Sequence, residues 1–282
     1  MTTSTAAPAA APSVAPAAVS AAASPVRFGD LLASEWIKMR SLRSTPWAIA
    51  VTTVFVIGSA VAATMAAHDG GAVPGAPREF LPFNAFPAAG YWTLMLVAAT
   101  MGAITVVSEY SSGLIRTTTV AVPARGQVVL AKAAVTAVLW TAVGAVTAVG
   151  SFLASQAVRG GGAPATHPGL ARALVACTLV APICALVGLG LGVLIRHTAT
   201  TVVTGVFTLV LLPPMFSEGT RWSADVNHLM PSTAWRRLVQ NWPADPDSLA
   251  YTATVPGSWA VYLLWPLVAV VLAVVVVRRR DV

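Results

Sequence analysis

The sequence predicts an all-α membrane protein with six transmembrane helices, an N-terminal amphipathic helix at the membrane surface and a short cytoplasmic helix between spans two and three. Of its 282 residues, 56% are hydrophobic and only 10% are charged, whereas soluble domains average about 25% charged residues. Six apolar stretches have uncharged interiors and approach the roughly 20 residues that cross a ~30 Å hydrocarbon core. The 17 basic residues gather mainly near the ends of these stretches and in the connections.

The chain divides into a tail and one membrane domain. Residues 1–26 carry no charge and consist almost entirely of Ala, Pro, Ser, Thr and Val. Repeated prolines oppose a helix and nothing there can build a core, so we expect a disordered tail. The tail lacks the basic start and unbroken apolar stretch of a secretory signal, so we expect it to be retained. Residues 27–282 form the predicted six-span domain.

Residues 28–43 have the pattern of an amphipathic helix. Apolar side chains recur on one face at Phe28, Leu31, Leu32, Trp36 and Met39. Glu35 and Lys38 are three residues apart and can pair. We expect this segment to lie in the plane of the membrane surface; the alternative is a charged flank without defined structure.

The spans are predicted at about 47–67, 91–107, 130–156, 172–195, 198–216 and 258–277. Gly188 and Gly192 form a small-xxx-small pair that would let two helices pack closely. Lys132 lies about one turn inside span three and is expected to extend to the interface. No ionisable residue lies at mid-membrane depth, which argues against a proton-coupled transporter.

The basic residues predict the orientation. With the N-terminus inside, the inner segments carry eleven of the 17 lysines and arginines. The outer segments carry the other six, and three of these share a long loop with four acids. Because inner loops are enriched in Lys and Arg, we expect a multi-pass plasma-membrane protein with both termini cytoplasmic.

No motif for catalysis, a cofactor or a metal is apparent. A Walker loop needs a lysine after a glycine-rich turn, and the only lysines are Lys38 and Lys132. The four histidines are scattered over different loops. Cys177 and Cys184 are roughly 10 Å apart along one helix and are expected to act as small buried hydrophobes. Nucleic-acid binding is excluded because the basic residues form no contiguous patch.

The connection between spans two and three is the most informative loop. Glu109 and Tyr110 end span two, and Gly113 allows a sharp turn. The stretch 114–122 can form a short helix along the membrane face, which Pro123 would stop. Such a helix could act as a lever for a soluble partner.

The chain here resembles the membrane subunits of type 2, export-type ABC transporters of actinobacterial style, over roughly residues 30–282. The resemblance rests first on the basic amphipathic segment 34–45. It continues through Glu109, Tyr110 and Gly113 with the later Pro123 and Arg125. The segment 190–199 and the basic end of the last span are the last two features of the resemblance in chain order.

The resemblance implies a non-catalytic permease subunit that pairs with a second, identical or similar membrane subunit. A separate ATP-binding subunit would dock on a coupling helix whose residues are Glu109, Tyr110, Gly113, Leu114, Arg116, Pro123 and Arg125. The segment 28–43 would be the elbow helix, with Trp36, Lys38, Arg40 and Arg43. The outer loop 218–257 would cap the outer mouth, with Trp235, Leu238, Val239 and Trp242 suited to interfacial insertion.

A second hypothesis is a membrane-embedded scaffold, sensor or immunity component without transport. Composition alone allows it; a neighbouring gene for a Walker-type ATPase would favour the transporter, and an isolated gene the scaffold. An enzyme acting within the bilayer is a poor third, because no span carries catalytic carboxylates or histidines. Hydroxyl-rich, apolar spans suit lipophilic drugs, peptides and lipids equally.

Overall fold

A computed structural model describes residues 27–41, 44–70, 85–112, 125–159, 169–216, 218–240 and 251–279, with the side chains of residues 68–70 and 125 excepted. The described residues are almost entirely helical and include no β-strand, which confirms the all-α class. The predicted tail 1–26 lies outside the described residues, as does the predicted helix at 114–122.

Nine α-helices are present in the described part of the chain. They are α1 (Phe28–Ser41), α2 (Ser44–Gly70), α3 (Ala88–Ser111), α4 (Arg125–Val158), α5 (Leu170–Ile195), α6 (Thr198–Val206), α7 (Arg221–His228), α8 (Pro231–Val239) and α9 (Val255–Arg279). A π-helical turn, Phe207–Leu211, and a 3-10 turn, Pro213–Met215, follow α6.

Five helices are long and apolar enough to cross a membrane: α2, α3, α4, α5 and α9. They match five of the six predicted spans. The sixth, predicted at 198–216, is a shorter apolar helix over Thr198–Leu211. At about 1.5 Å per residue it is roughly 21 Å long, short of the ~30 Å core. The count of six spans is therefore not confirmed.

Pro213 and Pro214 explain why this helix changes form. Proline has no amide N–H and its ring crowds the preceding turn, so an α-helix cannot continue undisturbed. Just before the two prolines the hydrogen bonding widens, and Leu212 N donates to Phe207 O at 2.7 Å. The Asn227 side-chain amide donates to the carbonyls of Pro213 and Phe216, both at 2.7 Å, which anchors this bend to α7.

The helix α8 folds back onto the bundle. Trp235 and Leu238 are fully buried. The Trp235 ring stacks on Tyr91 of α3 with centroids 5.2 Å apart, and its Nε1 donates to Cys177 Sγ of α5 at 3.4 Å. Trp235, Leu238 and Val239 thus pack inside the protein instead of inserting into the membrane interface, while Trp242 lies outside the described residues.

The most buried of the five long helices is α5, and small residues bring α3 against it. A Cβ added to Gly188 would overlap the carbonyl oxygen of Ala99, and one added to Gly102 would overlap that of Ala185. A Cβ on Gly192 would lie 3.0 Å from the carbonyl oxygen of Ala103. Backbone contact this close makes α3 and α5 a single packed unit.

Both ends of the described chain lie at the same end of the bundle. Helix α1 contacts α4 near its start, as described below, and Arg278 of α9 lies beside Gly126 in the first turn of α4. We call this the α1 end and the opposite one the α8 end.

Candidate functional site

Four charged side chains from three helices meet at the α1 end. Glu35 and Lys38 are one turn apart on α1, Glu109 is in the last turn of α3, and Lys132 is two turns into α4. Helical spacing directs Glu35 and Lys38 to neighbouring positions on one face of α1. The end of α3 and the start of α4 flank the connection 113–124, so Glu109 and Lys132 lie on either side of the predicted coupling segment.

The four side chains form a closed ring of alternating charge, which we call the charge ring. Lys132 Nζ lies 2.5 Å from Glu35 Oε2 and 2.9 Å from Glu109 Oε1. Lys38 Nζ lies 2.6 Å from Glu35 Oε1 and 3.0 Å from Glu109 Oε1. Each ammonium bridges both carboxylates, which joins α1, α3 and α4. With two lysines and two glutamates, the charge ring has a formal net charge of zero.

Burial differs around the charge ring. The side chains of Glu35 and Lys132 are 3% and 6% exposed, that of Glu109 is 12% exposed, and that of Lys38 is 45% exposed. Burial alone would lower the pKa of Lys38, but hydrogen bonds and charges from Glu35 and Glu109 outweigh it and raise that pKa. Lys38 therefore stays protonated at neutral pH.

The Lys132 side chain turns into the protein, whereas the sequence left it free to extend to the membrane interface. Its ammonium is buried and held between Glu35 and Glu109. A buried ion with a paired counter-charge is far cheaper than one left alone, so the lysine turns toward the two acids. One sequence feature could have indicated this contact: both lysines, Glu35 and Glu109 all lie near the predicted inner ends of their elements. The predicted pairing of Glu35 with Lys38 is confirmed.

Helix α1 buries only part of its surface against the bundle. Leu31 and Glu35 are buried, whereas Phe28, Trp36 and Ile37 are 43%, 41% and 66% exposed. Glu35 faces the bundle because Lys132 offers it a counter-charge, and Phe28, Trp36 and Ile37 face outward.

A second contact ties the end of α5 to the end of α3, next to the charge ring. The guanidinium carbon of Arg196 lies 4.9 Å from the centre of the Tyr110 ring, within the range of a cation–π interaction. Arg196 adopts a left-handed backbone, φ 58°, which ends α5. Its Nε and Nη2 atoms are buried and have no hydrogen-bond partner among the described residues.

The other residues predicted from the sequence are distributed as follows. Arg40 is exposed near the end of α1, and Arg125 is the first residue of α4, with its side chain outside the described part. Gly188 and Gly192 lie at the contact of α3 with α5. The remaining predicted residues lie outside the described residues: Arg43, Gly113, Leu114, Arg116 and Pro123.

The charge ring is best described as a link between helices. The described residues contain no group of three or more His, Cys, Asp or Glu that could hold a metal ion. Cys177 and Cys184 are free thiols buried in α5. The charge ring holds its four side chains by mutual attraction and links α1 to the ends of α3 and α4.

The comparisons with known proteins agree with this architecture. A family model described as "ABC-2 family transporter protein" matches residues 31–214. This range runs from α1, across the whole charge ring, to the two prolines that follow α6. No curated protein matches the chain. The match covers well over half of the sequence, and the chain therefore belongs to the ABC-2 family of transporter membrane proteins, as a multi-pass transport permease.

Proposed function

We propose that this permease is driven by ATP hydrolysis in a separate ATP-binding subunit and that the charge ring carries the coupling. The observation that supports this most directly is the ring itself. It fastens the surface helix α1 to the two helix ends that flank the connection 113–124. A partner that pushes on this connection would move α1, α3 and α4 together.

The route into the bundle follows from the packing. Helix α3 carries Glu109 at one end and meets α5 backbone to backbone at Gly188. Because interfaces of this kind move as rigid units, a shift at Glu109 is passed to α5 without being absorbed by side-chain rearrangement. The Tyr110–Arg196 contact adds a second link between the same two helices.

In this proposal both termini are cytoplasmic and the α1 end faces the ATP-binding subunit. Glu109, Tyr110, Gly113, Leu114, Arg116, Pro123 and Arg125 form the coupling surface. A second membrane subunit, identical or similar, completes the path for the substrate. ATP binding closes the partner's halves, and the resulting movement alternates the spans between inward- and outward-facing states.

The test is an ATP-dependent conformational change in the purified complex in lipid nanodiscs. Both native cysteines are buried, so an added cysteine at exposed Met215, by the α8 end, can be labelled selectively. We expect ATP with vanadate to change its labelling rate in the wild type. Glu109→Gln should keep ATP hydrolysis but lose most of that change, because one carboxylate of the charge ring is neutralised.

Asp30→Asn is the matched control, since Asp30 is an exposed acid of α1 outside the charge ring. It should respond like the wild type. An unaltered response in Glu109→Gln would refute the coupling role of the charge ring. Arg116→Ala tests the adjoining coupling surface in the same assay, and it should also uncouple hydrolysis from movement.

A further inference from the structure

A cavity at the α8 end has two chemically different walls. Its volume is about 310 Å³, at the lower end of the range for small-molecule sites. One wall is apolar and comes from Trp92 near the start of α3, Leu209 and Val210 of the π-helical turn, and the bend after it. The other wall is polar and comes from α7, α8 and Glu218 before them.

The polar wall carries two opposite charges that do not pair with each other. Glu218 is half-buried and Arg236 is exposed, and both line the cavity. The ion pairs found among the described residues are the four of the charge ring, so neither Glu218 nor Arg236 belongs to one there. An occupant that satisfies both side chains carries one positive and one negative group.

The wall is held in place before any ligand arrives. Asn227 donates to two carbonyls of the bend after the π-helical turn, and the Thr233 hydroxyl donates to Asn227 Oδ1 at 2.7 Å. Asn227 and Thr233 are both buried. These bonds fix α7 and α8 against the apolar wall, so binding would cost little ordering of the protein.

We propose that this cavity binds a zwitterionic amphiphile. The anionic group of its head lies against Arg236, its ammonium lies against Glu218, and the start of its apolar chain lies against Leu209, Val210 and Trp92. The proposal does not depend on the ATP-binding partner, because every residue in it lies at the opposite end of the bundle from the charge ring.

The test uses a lysophosphatidylethanolamine with a photoreactive diazirine near the start of its acyl chain. After illumination of the purified protein in detergent, the labelled peptides are mapped by mass spectrometry. We expect labelling of the segment 207–214, at least about tenfold above that given by a lysophosphatidylglycerol, an alkylamine or a monoacylglycerol carrying the same label.

Two variants separate the charges, and a third is the control. Arg236→Gln should reduce labelling by the zwitterion to the level of the alkylamine, and Glu218→Gln should reduce it to the level of the lysophosphatidylglycerol. Arg221→Gln removes an exposed arginine of α7 that does not line the cavity, and it should leave labelling unchanged. Equal labelling by all four probes, or no loss in either cavity variant, would overturn the proposal.

A competition arm distinguishes an amphiphile from a small water-soluble zwitterion. Glycerophosphoethanolamine has the same head group but no acyl chain. We expect it to compete at least tenfold less well than the unlabelled lysophospholipid, because it leaves the apolar wall unfilled. Equal competition would refute the amphiphile and leave only recognition of the head group.

Discussion

At the charge ring, two lysines share the same two carboxylates but differ in burial. Lys132 is 6% exposed and Lys38 is 45% exposed. Removing one member of a buried pair leaves an uncompensated charge, which costs about 3–5 kcal/mol, whereas exposed pairs contribute about 0–1 kcal/mol. The sequence predicted the Glu35–Lys38 pair from its spacing, but it could not place Glu109 and Lys132 beside them, because that contact depends on how three helices pack.

Replacing each lysine in turn therefore tests how burial affects its contribution to the free energy of unfolding. We predict that Lys132→Met lowers the free energy of unfolding in detergent by about 3–5 kcal/mol. Lys38→Met should lower it by less, because water reaches the Lys38 side of the charge ring and screens the charge that remains. Unfolding would be followed by circular dichroism with increasing denaturant, and equal losses in the two variants would contradict the burial difference.

A second prediction at the residue scale concerns the tryptophans of α7 and α8. Trp235→Ala removes a fully buried ring, its stacking on Tyr91 and its hydrogen bond to Cys177, so we expect a loss of about 3–5 kcal/mol. Trp222 is 67% exposed and contacts Phe216 edge to face, so Trp222→Ala should cost about 1 kcal/mol at most. Comparable losses in the same unfolding assay would argue against the packing of α8 on the bundle.

At the scale of helices, hydropathy identified the five long spans, and the segment predicted as a sixth is the shorter apolar helix Thr198–Leu211. The apolar run from Thr198 continues past Pro213, so composition alone extends it to 216. Composition does not show that the backbone hydrogen bonding changes near Pro213 and Pro214, where the helix passes into a π-helical and then a 3-10 turn. Hydropathy also does not predict how α7 and α8 pack: α8 contacts α3, α5 and α9, and α7 is held to the bend through Asn227.

The contact between α3 and α5 gives a prediction at this scale. Gly188→Ala would place a methyl group on the carbonyl oxygen of Ala99 and push the helices apart, which we expect to cost about 1–3 kcal/mol. Gly58→Ala is the control, since a Cβ there meets nothing within 4 Å. It should be neutral or stabilise α2 by up to about 1 kcal/mol. Thermal unfolding in detergent reports both, and a neutral Gly188→Ala would contradict the close packing.

At the scale of the whole molecule, the two ends of the bundle are held together by different interactions. The α1 end is fastened by charges, and the α8 end is sealed by buried aromatic rings and backbone hydrogen bonds. The family and the all-helical class were accessible from the sequence because hydropathy and short motifs are local properties. The charge ring and the two-walled cavity were not, since each joins residues from at least three elements that are distant in sequence.

The measurement that tests the central claim most directly is a pull-down of the tagged chain from native membranes in mild detergent, with identification of co-purifying proteins and an ATPase assay. The account predicts a stoichiometric soluble ATPase that is lost when the sequence of residues 113–123 is scrambled. It also predicts that the scrambled chain still inserts into the membrane. Recovery of the intact chain without a nucleotide-binding partner across several detergents would contradict the account and favour a scaffold or sensor.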